Sequence, residues 1–143
     1  MTYNLRTHYK KILADTITPV SVYLKVRDRF PGSILLESSD YHANDNSFSY
    51  ICCNPIAWIS VENNTIERKF PDGSQQKSEI DQHTDIPMEI HHFAGAFKVE
   101  DHGFKFINNG LFGYMTYDAV RFFEDIDITQ KPDSPAIPDI YYA

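Results

Sequence analysis

Leu5, Tyr9, Ile12 and Leu13 recur at helical spacing with Arg6, Lys10 and Lys11 opposite them, which predicts a helix over Leu5 to Asp15 with Asn4 as N-cap. The next segment carries two signals. Val20, Val22, Leu24 and Val26 alternate with Ser21, Tyr23, Lys25 and Arg27, a strand pattern. Thr18-Pro19, however, supplies a capping hydroxyl and a proline for the first helical position. Periodicity leaves both open. Phe30-Pro31-Gly32 marks a turn before Ser33 to Ser38, a short apolar run that reads as a buried strand. Asp40 to Asn46 is polar and reads as a loop. Phe48 to Cys53, Ala57 to Glu62 and Thr65 to Phe70 are strand candidates, and Asn54-Pro55 and Asn63-Asn64 between them predict an antiparallel meander. Pro71 to Asp85 is polar and reads as a mobile surface segment. Ile86, Ile90, Phe93 and Phe97 predict an amphipathic helix from about Pro87. Leu111 to Thr116 reads as a buried strand, Asp118 to Glu124 as a turn or helix, and Ile140-Tyr141-Tyr142 as a terminal strand-like run after three prolines. Strands and helices mix without strict alternation. The class is therefore α+β, a mixed or antiparallel sheet with packed helices.

Composition narrows this picture. The 143 residues suit one domain, and 42% hydrophobic with 14% aromatic residues suffices for a core. A net charge of -7 gives no nucleic-acid footprint. No apolar run approaches membrane-spanning length, and the opening Met1-Thr2-Tyr3-Asn4-Leu5-Arg6 lacks the apolar core of a signal peptide. Cys52 and Cys53 are neighbours whose side chains in a strand face opposite ways, so a structural disulfide between them is disfavoured. A reducing, cytoplasmic setting is the simpler reading.

Candidate chemistry is sparse. His91 and His92 on a helix point about 100° apart, and His8, His42, His83 and His102 lack metal-ligand spacing to Cys or carboxylate. No phosphate-cradling glycine pattern is present. Neither cysteine has a cationic or histidine neighbour in sequence, so both read as buried packing. Asp125 and Asp127 read as a solvated face. No catalytic residue and no resident cofactor is expected. The apolar close at Asp139-Ile140-Tyr141-Tyr142-Ala143 reads as the end of a fragment rather than a natural terminus.

Three stretches together resemble the N-terminal region of the large subunit, component I, of anthranilate synthase. They are Thr18 to Arg27 leading into Leu35-Leu36-Glu37-Ser38; Phe48-Ser49-Tyr50-Ile51 through Asn54-Pro55; and Gly113-Tyr114-Met115-Thr116-Tyr117-Asp118-Ala119-Val120-Arg121, with Asp139-Ile140-Tyr141 after it. In that family the Thr-Pro segment opens a helix, which decides the ambiguity at Val20 to Val26. Cys52, where many members have glycine, and Phe48, often tyrosine, depart from the pattern.

The resemblance implies an N-terminal regulatory domain spanning 1–143, part of a larger two-part α+β sandwich whose C-terminal chorismate-binding domain is absent. The complete enzyme converts chorismate and glutamine or ammonia to anthranilate and pyruvate, uses Mg²⁺, and takes ammonia from a glutamine amidotransferase subunit. By the same resemblance Glu37, Ser38 and Ser49 are the residues for L-tryptophan as feedback inhibitor. The chemistry suits that role: a carboxylate accepts from an ammonium, and a serine hydroxyl can donate or accept. The alternative is that Ser38-Ser39-Asp40 only forms a turn. Competing identities are the large subunit of aminodeoxychorismate synthase and a standalone amino-acid sensor. Without the missing domain, Leu111 to Met115 and Ile140 to Tyr142 are expected to lie uncovered and to favour self-association.

Overall fold

The computed structural model describes residues 1–37, 48–107, 109–126, 128 and 137–143. The fold is α+β, as expected, and falls into two compact units. The first comprises Met1–Arg6, Ile56–Glu100 and Asn109–Ala143; the second comprises Thr7–Pro55 and Asp101–Asn108.

The first unit is built on a five-stranded antiparallel sheet. Its members are β4 (Trp58–Glu62), β5 (Thr65–Lys69), β6 (Gln75–Glu79), β8 (Gly113–Met115) and β9 (Ile140–Tyr142), in the order β6-β5-β4-β9-β8. Asn63 and Asn64 connect β4 to β5, both at positive φ (48° and 58°), the conformation that a two-residue hairpin of this twist requires. Ile59, Val61, Ile66 and Ile140 lie on one face of the sheet and are at most 1% exposed. Helix α2 (Ile86–Gly95) adds Ile86 and Phe93 to that core, and Ala119 of a 3₁₀ helix (Tyr117–Phe122) completes it. Asp85 caps α2 by accepting from the Met88 amide at 2.9 Å, as the Pro-containing first turn leads one to expect. Arg68 reaches from β5 to an ion pair with Glu89 of α2. Arg121 holds Asp139 through two contacts, Nη2 to Oδ2 at 2.5 Å and Nη1 to Oδ1 at 3.3 Å, tying the 3₁₀ helix to the start of β9.

Several sequence expectations change in this unit. Tyr3–Leu5 is not the start of a helix but a strand, β1, pairing in parallel with β7 (Phe97–Val99). The Tyr3 ring stacks on Phe70 at 5.5 Å and Phe97 at 5.8 Å, so aromatic burial outweighs a short helix that is marginal without packing. Phe97 thereby belongs to β7 rather than to the α2 stripe. Pro71 to Asp85 contains β6, whose five residues are all exposed; a strand wet on both faces leaves no hydrophobic alternation to read. The meander is therefore β4-β5-β6, displaced by one strand from the expected one. The Leu111 to Thr116 strand forms, but at the sheet edge with Tyr114 and Met115 exposed rather than buried. Ile140 to Tyr142, expected to lie uncovered, is paired on both sides, by β4 and β8.

In the second unit, helix α1 (Pro19–Arg27) packs against the antiparallel hairpin of β2 (Ile34–Glu37) and β3 (Ser49–Cys52). The Thr18-Pro19 signal prevails over the alternation. The Thr18 hydroxyl accepts from the Ser21 amide, and Ser21 Oγ accepts from the Thr18 amide, both at 3.1 Å, a reciprocal capping box. Residues 7–14, expected to continue a helix, have no regular structure, and Tyr9, Ile12 and Leu13 are 68%, 66% and 84% exposed. The expected loop at Asp40 to Asn46 lies outside the described residues.

Candidate functional site

The β2-β3 hairpin sets the geometry of the residues singled out from the sequence. Its register pairs Ile34 with Cys52, Leu35 with Ile51, Leu36 with Tyr50 and Glu37 with Ser49. Directly opposed residues of an antiparallel pair project from the same face with Cβ atoms about 5 Å apart. Glu37 and Ser49, twelve positions apart in sequence, are thus brought side by side. Both are exposed, above the half-buried Leu35 and Ile51 of the same face. Ser38 and Asp127 lie outside the described residues.

A carboxylate beside a hydroxyl over an apolar pair can take a ligand that presents an ammonium together with an apolar body. The neighbouring Tyr50 turns to the other face, where its hydroxyl accepts from the Ile107 amide at 3.2 Å and the Phe48 ring meets Phe106 at 5.7 Å. This bond fixes the strand that carries Ser49 to a segment 57 residues away. No local sequence pattern announces a contact of that range.

The cysteines are free. Burial pushes the Cys52 thiol up, and the adjacent Cys53 adds to the shift, which favours the protonated form. Cys53 corrects the expectation of burial: it follows the end of β3 and is exposed. His91 and His92 lie on α2 with rings 6.4 Å apart. Among the described residues no three His, Cys, Asp or Glu side chains gather in a group able to hold a metal ion. A polar dent of about 100 Å³ lies on the outer face of the five-stranded sheet, lined by Ser60, Glu62, Asn63, Thr65, Glu67 and Lys77. Within it Lys77 donates to Glu67 at 2.6 Å, which raises the lysine pKa, and the pair is solvated. No helix among the described residues is long and apolar enough to cross a membrane.

No protein-family model matches the chain. Among curated proteins it is similar to anthranilate synthase component 1 of Lactococcus lactis, 30% identical over 93% of this chain and 27% of that protein. The same name is carried by a Pseudomonas putida relative, 33% identical over 90% of this chain and 26% of its own length. A Thermus thermophilus protein of that name is 26% identical over 96% of this chain and 28% of its own. The chain spans about a quarter of the length of the curated relatives it matches. Nearly all of it is thus related to one region, the N-terminal one, of anthranilate synthase component 1.

Proposed function

We propose that this chain is the N-terminal, regulatory part of an anthranilate synthase component I, and that Glu37, Ser38 and Ser49 form its L-tryptophan feedback site. The observation that carries the reading is the cross-strand pairing of Glu37 with Ser49, which joins two separate motifs of the resemblance in one place. The Glu37 carboxylate accepts the ligand's ammonium, and the Ser49 hydroxyl bonds its polar end while Leu35 and Ile51 underlie it. The reaction, chorismate and glutamine or ammonia to anthranilate and pyruvate, belongs on this reading to the remaining length of the enzyme. So do the Mg²⁺ it uses and the contact with a glutamine amidotransferase subunit. Inhibition then follows as reciprocal coupling: tryptophan favours one arrangement of the whole enzyme and chorismate another.

The test is steady-state kinetics of the complete enzyme carrying this chain. Glu37→Gln removes the charge and keeps the shape, and is expected to raise the half-inhibiting tryptophan concentration at least tenfold with uninhibited turnover unchanged. Ser38→Phe is expected to act likewise. An unchanged tryptophan response in both variants means that Glu37 and Ser38 only end a strand.

A further inference from the structure

Residues 101–107 contain neither helix nor strand, so side chains rather than a backbone ladder hold them in place. Asp101 Oδ1 accepts from the Gly103 amide at 2.8 Å, and Gly103 has a positive φ of 64°, which turns the chain at the start of the segment. Beyond that turn the rings run on in contact. Tyr9 meets Phe104 edge-on at 4.9 Å, Phe104 stacks on Phe106 at 4.9 Å, and Phe106 meets Phe48 at 5.7 Å. The Ile107 amide then donates to the Tyr50 hydroxyl at 3.2 Å. Phe48 and Tyr50 flank Ser49 in sequence, so both of these anchors stand next to a residue of the proposed tryptophan site.

The same segment is a link between two strands of the first unit. It belongs with the β2-β3 hairpin in the second unit, yet in the chain it runs from β7, which pairs with β1, to β8, which pairs with β9. We infer that Tyr50 is a positioning residue for feedback control: its hydroxyl couples the hairpin that carries Glu37 and Ser49 to residues 101–107, and through them to β7 and β8. The inference rests on the feedback site proposed above. Tyr50 faces away from Ser49 across β3, so it acts on the ligand through the strand and not by contact. Phe106 and Ile107 are 42% and 60% exposed, which places this segment at the low-stability end from which moving elements are drawn. In a segment with no ladder of its own, one hydrogen bond is a large share of what keeps it docked. A ligand that shifts the hairpin therefore shifts the docking of residues 101–107, and the chain carries that change into two paired strands.

The test compares binding with coupling in the complete enzyme carrying this chain. Tyr50→Phe keeps the ring and deletes the acceptor. It is expected to leave uninhibited turnover unchanged and to keep tryptophan binding measurable by calorimetry. The factor by which saturating tryptophan lowers the apparent affinity for chorismate is expected to fall about fivefold, which is what one ordinary hydrogen bond is worth. Tryptophan is also expected to change amide exchange at Ile107 in the wild type and not in Tyr50→Phe. Tyr23→Phe is the control, since it removes a hydroxyl of the same unit that bonds the Ser33 carbonyl at 3.4 Å and not this segment, and it is expected to leave the coupling factor unchanged. An undiminished factor in Tyr50→Phe, or an equal loss in Tyr23→Phe, overturns the inference. If Glu37→Gln weakens tryptophan binding while Tyr50→Phe leaves the coupling intact, the feedback site stands and Tyr50 has no part in it. An unchanged tryptophan response in Glu37→Gln overturns both.

Discussion

Gly113 opens the third block of the resemblance, and the structure supplies a physical reason for glycine there. A Cβ built there would lie 1.9 Å from the Tyr141 carbonyl oxygen and 2.9 Å from the Tyr142 Cα, both backbone atoms that cannot turn aside. Gly113→Ala is therefore expected to separate β8 from β9 and to cost about 3 kcal/mol, the upper part of the usual overpacking range. A urea titration followed by circular dichroism reads this as a lowered midpoint, and an unchanged midpoint contradicts the close approach. Tyr141, on the adjoining strand β9, carries a different signature. Burial raises its hydroxyl pKa, with Tyr114 beside it adding to the shift. The folded chain thus holds this proton longer than the unfolded chain, whose tyrosines titrate near 10. The contribution is intact below about pH 10 and is lost as pH rises through the higher folded value, so stability is expected to fall on the alkaline side. Tyr141→Phe should flatten that fall, as measured by melting temperature between about pH 9 and 11.

At the scale of elements, the signals that survived were those with a local chemical partner. Thr18-Pro19 fixed α1 through hydrogen bonds only three residues long, and Asn63-Asn64 fixed the β4-β5 turn through backbone conformation. Thr18→Ala is accordingly expected to cost about 1 kcal/mol through loss of the capping box, seen as a lower urea midpoint. Asn64 does more than turn the chain, since its Nδ2 donates to the Ile80 carbonyl at 2.8 Å and its own carbonyl accepts from the Ile80 amide at 2.9 Å. Elements decided by distant partners were not readable. β1 exists because Tyr3 finds Phe70 and Phe97, and β6 because β5 offers a backbone ladder that needs no apolar side chain. The candidate site divides in the same way. Glu37 and Ser49 were each visible within a motif, but their adjacency is a property of hairpin register and of nothing nearer in sequence.

For the whole molecule, the relation to a protein about four times as long makes the isolated chain a test of how a binding site is shared. On the proposed reading, Glu37 and Ser49, both exposed, would give a bound amino acid an ionic contact and a hydrogen bond, and the remaining length of the enzyme would enclose the indole. Enclosing that ring is worth on the order of a few kcal/mol at about 25 cal/mol per Å² of apolar surface. Each 1.4 kcal/mol corresponds to about tenfold in affinity, so losing most of the enclosure weakens binding by roughly a hundredfold or more. The expected outcome is that the chain alone binds tryptophan at least about a hundredfold more weakly than the complete enzyme does, both measured by calorimetry in one buffer. Glu37→Gln should abolish what binding the chain retains, because the ionic contact is then the main one left. Binding by the isolated chain as tight as by the complete enzyme would instead place the whole pocket within these 143 residues. The standalone sensor, rather than a shared regulatory site, would then be the better description.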